Sequence, residues 1–468
     1  MNPYSIVPIT QWFFLLYFIV VNLGYITLNI IAIISIYRYM QREEFAGLSK
    51  SFPHFEPPVS ILVPAHNEAA TISSSIRSLL QINYREFEII VINDGSKDET
   101  LETLKRDFAL LPLPAVTRKR LESKPVSGVY MSMEYPNLYV LDKENGGKAD
   151  ALNAGINVSR YPLYCCVDAD SILQTDSLRK IVQPFLEDPT TIACGGTVRA
   201  ANGCKVEGGY LTSSGLPSSP LALFQIVEYL RAYLIGRLGW SQMNALLIIS
   251  GAFGLFKKEV VIAAGGYRTD TVGEDMELVV RLHRTMRSQG KKYRISFVPD
   301  PVCWTEVPED LKTLRTQRIR WQRGLAESLW LNREILFARN GGPVAWIAFP
   351  FIITFELLGS FFEMAGYIFT FAGFLLGVMS PTAFFAFLFV AVGMGILLSL
   401  NSLLIEEMSF HIYKKPGNIV TLFFFTVAEN FGYRQANSWW RVVGLYQWVR
   451  GHRGGWGEMK RKASWRHD

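Results

Sequence analysis

Residues 163–170 read LYCCVDAD, and this stretch decides the fold. An apolar run over 163–167 has the pattern of a short buried strand, and it ends directly in two carboxylates, Asp168 and Asp170. A buried strand that delivers acids at its carboxyl end is typical of an α/β domain, where ligands bind at that edge of the sheet. A lone D-x-D is more often a solvated loop or a helix cap, but this one follows a buried strand. Carboxylate oxygens suit Mg²⁺ or Mn²⁺ held against a diphosphate.

The same alternation of strands and helices extends to both sides of this stretch. Further buried strands are predicted at 59–64, 87–93, 138–141 and 191–198, and helices at 69–81, from 97 onward and at 276–286. Such alternation predicts a mostly parallel sheet within an α/β domain over about residues 58–323. The insertion at 112–136 has little periodicity and receives no assignment.

Polar turns follow three of the predicted strands. The sequences 64-PAHNE-68 and 93-NDGS-96 place acid and amide groups where the polar edges of a nucleotide could be read, although plain turn chemistry explains either loop alone. In 145-NGGKAD-150 two glycines let the backbone approach a phosphate, and Lys148 adds a cation at a helix start. Ala149 stands where a P-loop needs Ser or Thr, and no G-x-G-x-x-G occurs, which weakens ATPase and dehydrogenase hypotheses.

Two later motifs have both a structural and a chemical interpretation. In 273-GED-275, Asp275 is either a helix cap or a carboxylate that accepts a proton from an attacking hydroxyl. In 317-QRIRW-321, the basic residues belong either to an interfacial helix or to a site where Arg320 contacts a diphosphate. In the second case Trp321 offers a flat face to a sugar ring.

The composition separates two environments in one chain. The 468 residues are 49% hydrophobic and 19% charged, which excludes a disordered chain and a disulfide-stapled miniprotein. The apolar residues are concentrated at 12–37, 344–404 and 419–448. The first run exceeds the roughly 20 residues that cross a bilayer, and it is too long for a signal peptide. The second is broken at 377–381 into two spans, whereas the third could cross, dip in and return, or lie at the interface.

Basic residues set the expected orientation. None precedes the first apolar run, whereas Arg38, Arg42 and Lys50 follow it, so the middle segment is expected to be cytoplasmic. The net charge of +6 borders apolar spans, which favours a lipid bilayer and no nucleic acid as partner. The five cysteines lack metal-site spacing and are interpreted as reduced packing thiols. The predicted units are an N-terminal membrane helix at 1–40, a cytoplasmic domain at 41–325, an interfacial segment at 311–343, membrane or interfacial helices at 344–449 and a basic cytoplasmic tail at 450–468.

Taken in order, the motifs at 63–68, 93–96, 146–148, 168–170, 273–275 and 317–321 resemble those of family 2 glycosyltransferases. More narrowly, they resemble the membrane-embedded synthases of poly-N-acetylglucosamine, hyaluronan, chitin oligosaccharides and cellulose. The resemblance covers the cytoplasmic domain almost end to end, together with the flanking helices. It departs in the acidic motif, which is Gly-Glu-Asp where cellulose-synthase-like members have Thr-Glu-Asp. Fewer spans also follow residue 344 than those enzymes use for a secretion channel.

The resemblance implies a GT-A (Rossmann-like) fold, a UDP-sugar donor, Mg²⁺ or Mn²⁺, inversion at the anomeric carbon and a bacterial inner membrane. Asp94 would read the base beside Ala65 and Glu68, and Lys148 would lie near the diphosphate. The remaining implied roles are donor and metal binding by Asp168 and Asp170, general base catalysis by Asp275, diphosphate binding by Arg320 and acceptor binding by Gln317 and Trp321.

These implications predict a metal-dependent enzyme that extends a β-linked exopolysaccharide at the cytoplasmic face. One alternative is a glycolipid synthase that transfers a single sugar to a membrane lipid, because ceramide-type glucosyltransferases share much of the motif set. A second is a transport subunit that binds nucleotide-sugar without chemistry, which the acids at 168, 170 and 275 argue against. A homo-oligomer or an export partner could complete the path of the product.

Overall fold

The computed structural model describes residues 3–46, 56–114, 119–207 and 210–452. Of the sequence features above, Lys50 and residues 453–468 of the predicted basic tail lie outside these ranges. The predicted boundaries between the cytoplasmic domain and the membrane units stay predictions, because they rest on composition and charge.

A ten-stranded mixed sheet forms the centre of the α/β region. The strands of the described residues are β1 Val59–Ala65, β2 Phe87–Asp94, β3 Leu110–Leu113, β4 Val126–Ser132, β5 Leu138–Lys143, β6 Leu163–Val167, β7 Ile172–Leu173, β8 Thr191–Ala200, β9 Lys205–Glu207, β10 Tyr210–Ser213, β11 Phe253–Lys257 and β12 Arg294–Thr305. The sheet order is β3-β4-β5-β2-β1-β6-β11-β8-β12-β7, and β9 and β10 form a separate hairpin. The five strands predicted from the sequence are confirmed within a few residues at their ends.

The expectation of a mostly parallel sheet holds at its centre and for the β8–β12 pair, but not for the other neighbours. Strands β5, β2, β1 and β6 are parallel, whereas β11 is antiparallel to both β6 and β8. The insertion at 112–136 supplies β4, which pairs antiparallel with β5 and with β3. Parallel strands need a crossover connection, and these antiparallel neighbours come from chain segments that the strand–helix alternation could not order.

The helices cover both faces of the sheet and continue into an apolar bundle. They are α1 Pro3–Ala46, α2 Ile72–Leu80, α3 Thr100–Asp107, α4 Lys148–Val158, α5 Ser177–Glu187, α6 Pro220–Tyr229, α7 Arg237–Gln242, α8 Lys258–Ala263, α9 Glu274–Ser288, α10 Leu311–Leu331, α11 Phe349–Phe351, α12 Gly359–Leu375, α13 Pro381–Leu388, α14 Met394–Ser409, α15 Pro416–Ala428 and α16 Tyr433–Val449. A 3₁₀ turn spans Arg333–Phe337, and π-helical segments span Leu230–Gly236, Val344–Ala348, Ile352–Leu357 and Phe389–Gly393.

Strand alternation sends neighbouring side chains of β1 into two separate cores. Ile61 and Val63 belong to the core on the α2 and α5 side, together with Ile76. Leu62, between them, belongs to the opposite core with Leu152 of α4. Because both faces are buried, the central strands are continuous apolar runs, as the sequence predicted. All five cysteines are buried and unpaired, which confirms their interpretation as packing thiols.

Two helical stretches are long and apolar enough to cross a membrane, Val7–Gln41 and Pro381–Ser409. A third candidate is the bent pair Val344–Leu357 and Gly359–Leu375, whose axes differ by 45°. The predicted break at 377–381 is confirmed, since α12 ends at Leu375 and α13 begins at Pro381. The mixed segment at 419–448 forms α15, which is short for a span, and α16, which packs on α10. The chain is therefore a membrane protein by the length and hydropathy of its helices.

Candidate active site

All ten residues singled out from the sequence line one cavity of about 1660 Å³ at the carboxyl ends of the parallel strands. They are Ala65, Glu68, Asp94, Lys148, Asp168, Asp170, Asp275, Gln317, Arg320 and Trp321. The parallel strands β1, β2 and β6 end at this edge, so their polar turns meet there although they are far apart in sequence. The structure brings the predicted residues together, while their individual chemical roles stay predictions.

Asp94, at the end of β2, anchors the glycine turn that follows β5. Its Oδ1 accepts hydrogen bonds from Lys143 Nζ at 2.5 Å and from the Gly146 amide at 3.0 Å. Its Oδ2 accepts from the Gly147 amide at 2.7 Å. The residue is only 3% exposed. Because Oδ2 can accept a further hydrogen bond, the predicted contact with the nucleobase of the donor would be made by that oxygen.

The turn after β1 is tied to the turn after β2. His66 Nδ1 lies 2.9 Å from the Asp94 carbonyl oxygen, and the Lys97 amide donates to Asn67 Oδ1 at 2.8 Å. Asn67 has a φ of 57°, a left-handed conformation that asparagine tolerates better than most residues. The Glu68 amide donates to Thr100 Oγ1 at 2.9 Å, which fixes this turn against α3. Ala65 and Glu68 thus belong to a rigid double turn at one end of the cavity.

Lys148 begins α4 and pairs with Asp168, which follows β6. Its ammonium also donates to the Gly251 carbonyl oxygen at 3.3 Å. Burial opposes the charge, but the field of Asp168 outweighs burial and raises the pKa of Lys148 above its usual value. The ammonium therefore stays protonated while facing the cavity, as a diphosphate site requires.

The donor set at Asp168 and Asp170 fits a divalent cation that shares its shell with a ligand. Both carboxylates line the cavity, the Asp168 side chain is 28% exposed, and the Thr305 hydroxyl donates to Asp170 Oδ2 at 3.4 Å. In the described part of the chain, no cluster of three or more His, Cys, Asp or Glu forms a complete metal cage. Mg²⁺ and Mn²⁺ are bound in this way, by one or two carboxylates plus phosphate oxygens and water. Lys148, which already pairs with Asp168, marks this carboxylate as an attractive position for a cation.

The acidic motif places two carboxyl groups side by side with different environments. Asp275 Oδ2 accepts from the Gly251 amide at 3.2 Å and Oδ1 from the Met276 amide at 2.8 Å, and each oxygen can accept a further hydrogen bond. Glu274 is only 6% exposed. Its burial, reinforced by the charge of Asp275, raises its pKa to about 7. Asp275 is thus the carboxylate of the two that is placed to accept a proton in the cavity.

A close glycine contact explains why this acidic motif begins with glycine. A Cβ on Gly273 would lie 2.8 Å from the Gly324 Cα atom, and a Cβ on Gly324 would lie 2.9 Å from the Gly273 Cα atom. The start of α9 therefore touches the middle of α10, the helix that carries Gln317, Arg320 and Trp321. The contact holds the acidic motif and the QRIRW motif at a fixed distance, and threonine at position 273 would not fit.

Helix α10 forms another wall of the cavity. Gln317 is 8% exposed, and its Oε1 has no hydrogen-bond partner within the described ranges. Trp321 is 38% exposed, and the Arg318 guanidinium carbon lies 4.4 Å from its ring centroid. Arg320 also faces the cavity. A buried amide oxygen beside an accessible indole is a suitable surface for a sugar ring with hydroxyl donors.

The cavity continues from α10 between the apolar helices, a feature that sequence reasoning did not foresee. Polar side chains from several helices line this extension, among them Asn22, Tyr25, Ser360, Glu363, Asn437 and Arg441. Glu356 pairs there with Arg441, and Glu363 accepts a hydrogen bond from Ser438. A polar path inside an apolar bundle is costly unless it is used, because every unpaired group there loses its hydration.

The fold and the cavity define a GT-A glycosyltransferase joined to membrane helices. Residues 60–209 match the model of "Glycosyl transferase family 2", and residues 165–398, half of the chain, match that of "Glycosyl transferase family group 2". The chain belongs to the family 2 glycosyltransferases. The resemblance drawn from the motifs is confirmed at this level.

Curated relatives and solved structures agree with this assignment. The chain is 33% identical over 302 residues to a poly-β-1,6-N-acetyl-D-glucosamine synthase of Staphylococcus aureus and 31% identical to one of Staphylococcus epidermidis. The match covers 63% and 62% of this chain, respectively, and 62% of each relative's length. A mannosyltransferase from Pyrobaculum calidifontis, solved with GDP-Man and Mn²⁺, superposes with a TM-score of 0.52 at 17% identity. That superposition covers 93% of this chain and 99% of the mannosyltransferase, and it speaks for the fold alone.

Proposed function

We propose that this protein is an inverting polysaccharide synthase that transfers N-acetylglucosamine from UDP-N-acetylglucosamine to a growing β-1,6-linked chain at the cytoplasmic face of a bacterial inner membrane. The observation that carries the proposal is the single cavity, which joins the ten predicted residues to a polar path between the apolar helices. The names of the staphylococcal relatives supply the sugar and the linkage.

The donor would bind at the nucleotide turns. Asp94 Oδ2, Ala65 and Glu68 would contact the uridine, and Lys148 would contact the diphosphate. Asp168 and Asp170 would hold Mg²⁺ or Mn²⁺ there; when bound, the metal neutralises negative charge on the departing diphosphate. Arg320 would add a second protein cation on the side of α10.

The transfer itself would need one proton acceptor and one displacement. Asp275 would take the proton from the acceptor hydroxyl as that oxygen attacks the anomeric carbon. The new carbon–oxygen bond forms as the bond to the diphosphate breaks, and UDP leaves with the electron pair. Gly251 supports this assignment, since its amide donates to Asp275 while its carbonyl oxygen accepts from Lys148. One backbone residue thus orients both the base and the cation.

The acceptor would lie along α10 and extend into the polar path. Gln317 and Trp321 would contact the sugar that receives the new residue. A path lined by asparagine, serine and tyrosine, in which Arg441 is paired with Glu356, suits a chain of neutral hydroxylated rings, whereas a lipid acceptor needs only an apolar opening to the bilayer. This observation favours a polymer over the transfer of one sugar to a lipid. An export partner or a second copy of the chain would then be needed only beyond the cavity.

A donor panel with purified full-length protein tests the proposal. The protein in nanodiscs is incubated with radiolabelled UDP-N-acetylglucosamine, UDP-glucose or UDP-glucuronic acid and Mn²⁺ or Mg²⁺. We expect a water-soluble polymer from UDP-N-acetylglucosamine that a β-1,6-N-acetylglucosaminidase degrades. A product soluble in organic solvent would instead establish the glycolipid synthase, and neither product from any donor would contradict both assignments.

A further inference from the structure

A helical wall of the cavity carries side chains that no sequence motif marked. The helix formed by α6, the π-helical segment Leu230–Gly236 and α7 is continuous from Pro220 to Gln242. Tyr229, Tyr233 and Arg237 follow one another at intervals of four residues, so they share one face, and all three line the cavity. The two tyrosine rings lie 4.4 Å apart, and the Arg237 guanidinium carbon lies 3.9 Å from the Tyr233 centroid.

Arg237 is a buried cation with unused hydrogen-bonding capacity. It is 6% exposed, and its Nη1 has no hydrogen-bond partner among the residues that the structure describes. Tyr233 fixes the guanidinium plane by stacking and also accepts a hydrogen bond from Arg237, but it leaves Nη1 without a partner. Leaving such a donor buried and unpaired is costly, so a group of this kind in a native cavity indicates a ligand that is not part of the protein.

The surroundings of Arg237 locate that ligand on the acceptor side. Burial lowers the pKa of Arg237, and the field of Asp275 acts against this effect, which places the guanidinium within electrostatic reach of the predicted base. Arg318 acts on the pKa of both Tyr229 and Tyr233, and it stacks on Trp321. Glu228, which precedes Tyr229 in the same helix, pairs with Arg318 at 2.8 Å, so the tyrosine wall lies next to the α10 wall.

Two unsatisfied groups of opposite type thus line the same cavity. Arg237 Nη1 is a donor, and Gln317 Oε1 is an acceptor, both buried and both without partners within the described ranges. A sugar ring offers hydroxyls that can accept from the first and donate to the second, and an acetamido group offers a carbonyl oxygen and an N–H. An aliphatic lipid tail offers neither.

The geometry points to Arg237 as a binding residue for the terminal sugar of the acceptor chain, held in place by Tyr233 and acting next to Asp275. Its Nη1–H donates to an oxygen of that sugar, while Gln317 accepts from one of its hydroxyls. The inference rests on the proposed function, and it adds the residue that orients the acceptor. It separates the acceptor side of the cavity from the donor side, where Lys148 and Asp168 lie.

The test measures saccharide binding directly, without turnover. A β-1,6-linked N-acetylglucosamine tetramer is titrated into full-length protein in nanodiscs containing UDP and Mn²⁺, by calorimetry, for the wild type and for Arg237→Met. We expect the tetramer to bind the variant at least tenfold more weakly, while UDP binds within twofold of its wild-type affinity. Arg237→Lys keeps the charge but loses the planar fork, so it is expected to fall between the two.

Arg333→Met is the matched control. Its guanidinium also stacks on an aromatic ring, 4.5 Å from the Trp330 centroid, but neither residue lines the cavity. Retained UDP binding shows that Arg237→Met is folded. Equal tetramer affinity in Arg237→Met and the wild type, no tetramer binding by the wild type, or an equal loss of UDP binding would each overturn the inference. Failure of the donor panel with intact tetramer binding would instead overturn the proposed function alone.

Discussion

Two lysines on either side of one glycine turn, Lys143 and Lys148, serve opposite purposes. The Lys143 side chain is fully buried, and its ammonium contacts Asp94 at 2.5 Å, Asp150 at 2.7 Å and the Glu144 carbonyl oxygen at 2.5 Å. Every proton of that ammonium has a partner. The Lys148 side chain is 14% exposed and pairs with Asp168 at the surface of the cavity.

The difference shows that one short loop contains both a buried ion-pair network and a charged side chain that a ligand can reach. The closed network around Lys143 joins β5, β2 and α4. It fixes the turn through the two hydrogen bonds that the Gly146 and Gly147 amides donate to Asp94. The open pair at Lys148 keeps its charge where a ligand can exchange for one partner. A buried network with all its groups satisfied resists change, whereas a partly solvated pair can rearrange at low cost. The following variants test whether this division is real, and the largest expected effect comes first.

Asp275→Asn should have the largest effect, because it removes the proton acceptor from the open side. We expect the rate of sugar transfer to fall by about 10³-fold, within the range that general base catalysis contributes. UDP binding should stay within about twofold, since the carboxamide oxygen of the variant can still accept from the Gly251 amide. Turnover and calorimetry on the same preparation check both statements, with Glu274→Gln as the neighbouring control. Transfer at the wild-type rate would remove Asp275 from the role of base.

Lys143→Met should damage stability more than any change at Lys148. It leaves Asp94 and Asp150 buried without their shared cation, which typically costs about 3–5 kcal/mol. We expect a lower temperature of thermal unfolding in nanodiscs, followed by intrinsic fluorescence. Lys148→Met should unfold near the wild-type temperature and yet lose sugar transfer. Equal shifts of the unfolding temperature in the two variants would contradict the structural role of Lys143 relative to Lys148.

The two lysines also show how far the sequence could lead. The strand at 163–167 and the turns around Asp94, Lys148 and Asp168 were predictable, because apolar runs and turn residues are local signals. Their meeting in one cavity followed from the rule that parallel strands end at a common edge. Lys143 could not be recognised in the same way. Its role depends on the register of β2 against β5, which brings Asp94 to it, and on its contact with Asp150 in the first turn of α4. Neither pairing can be read from the local sequence.

The parts that sequence reasoning missed depend on contacts between distant segments. Strand β11 lies between β6 and β8 although it follows both by a long stretch of chain. Arg237 matched no motif, and its spacing from Tyr229 and Tyr233 equally describes an ordinary helix face. The polar path was hidden because Asn22 and Glu363 read as isolated interruptions of apolar runs, and only packing brings them together. The spacing along one helix could have suggested Arg237 as a candidate, but it could not have predicted that Arg237 is buried.

Glu274 should make the stability of the protein depend on pH. Its pKa is raised from 4.5 to about 7, so the folded state holds the proton more tightly than the unfolded state does. The resulting stability is fully present below about pH 4.5 and is lost as the pH rises through 7. Relative to Glu274→Gln, the wild type should therefore unfold at a similar temperature at pH 5 and at a lower one at pH 8.5. The free energy of unfolding that the wild type loses between these two conditions is roughly 3 kcal/mol. A gap that stays constant over this range would contradict the prediction.

The smallest expected effect concerns competition for Asp168. The Lys148 ammonium occupies one oxygen of this carboxylate, so a divalent cation must share Asp168 with it or displace it. Removing the ammonium in Lys148→Met also removes a like charge from beside the metal, which near a solvated cavity amounts to a few kcal/mol at most. We therefore expect Mn²⁺ to bind this variant about tenfold more tightly without donor, measured by the loss of the free Mn²⁺ electron paramagnetic resonance signal.

Asp168→Asn should weaken Mn²⁺ binding in the same assay. Lys143→Met, if it stays folded at low temperature, should leave it unchanged because Lys143 contacts neither Asp168 nor the cavity. Weaker or equal Mn²⁺ binding by Lys148→Met would mean that the open pair, like the closed network, is fixed in place.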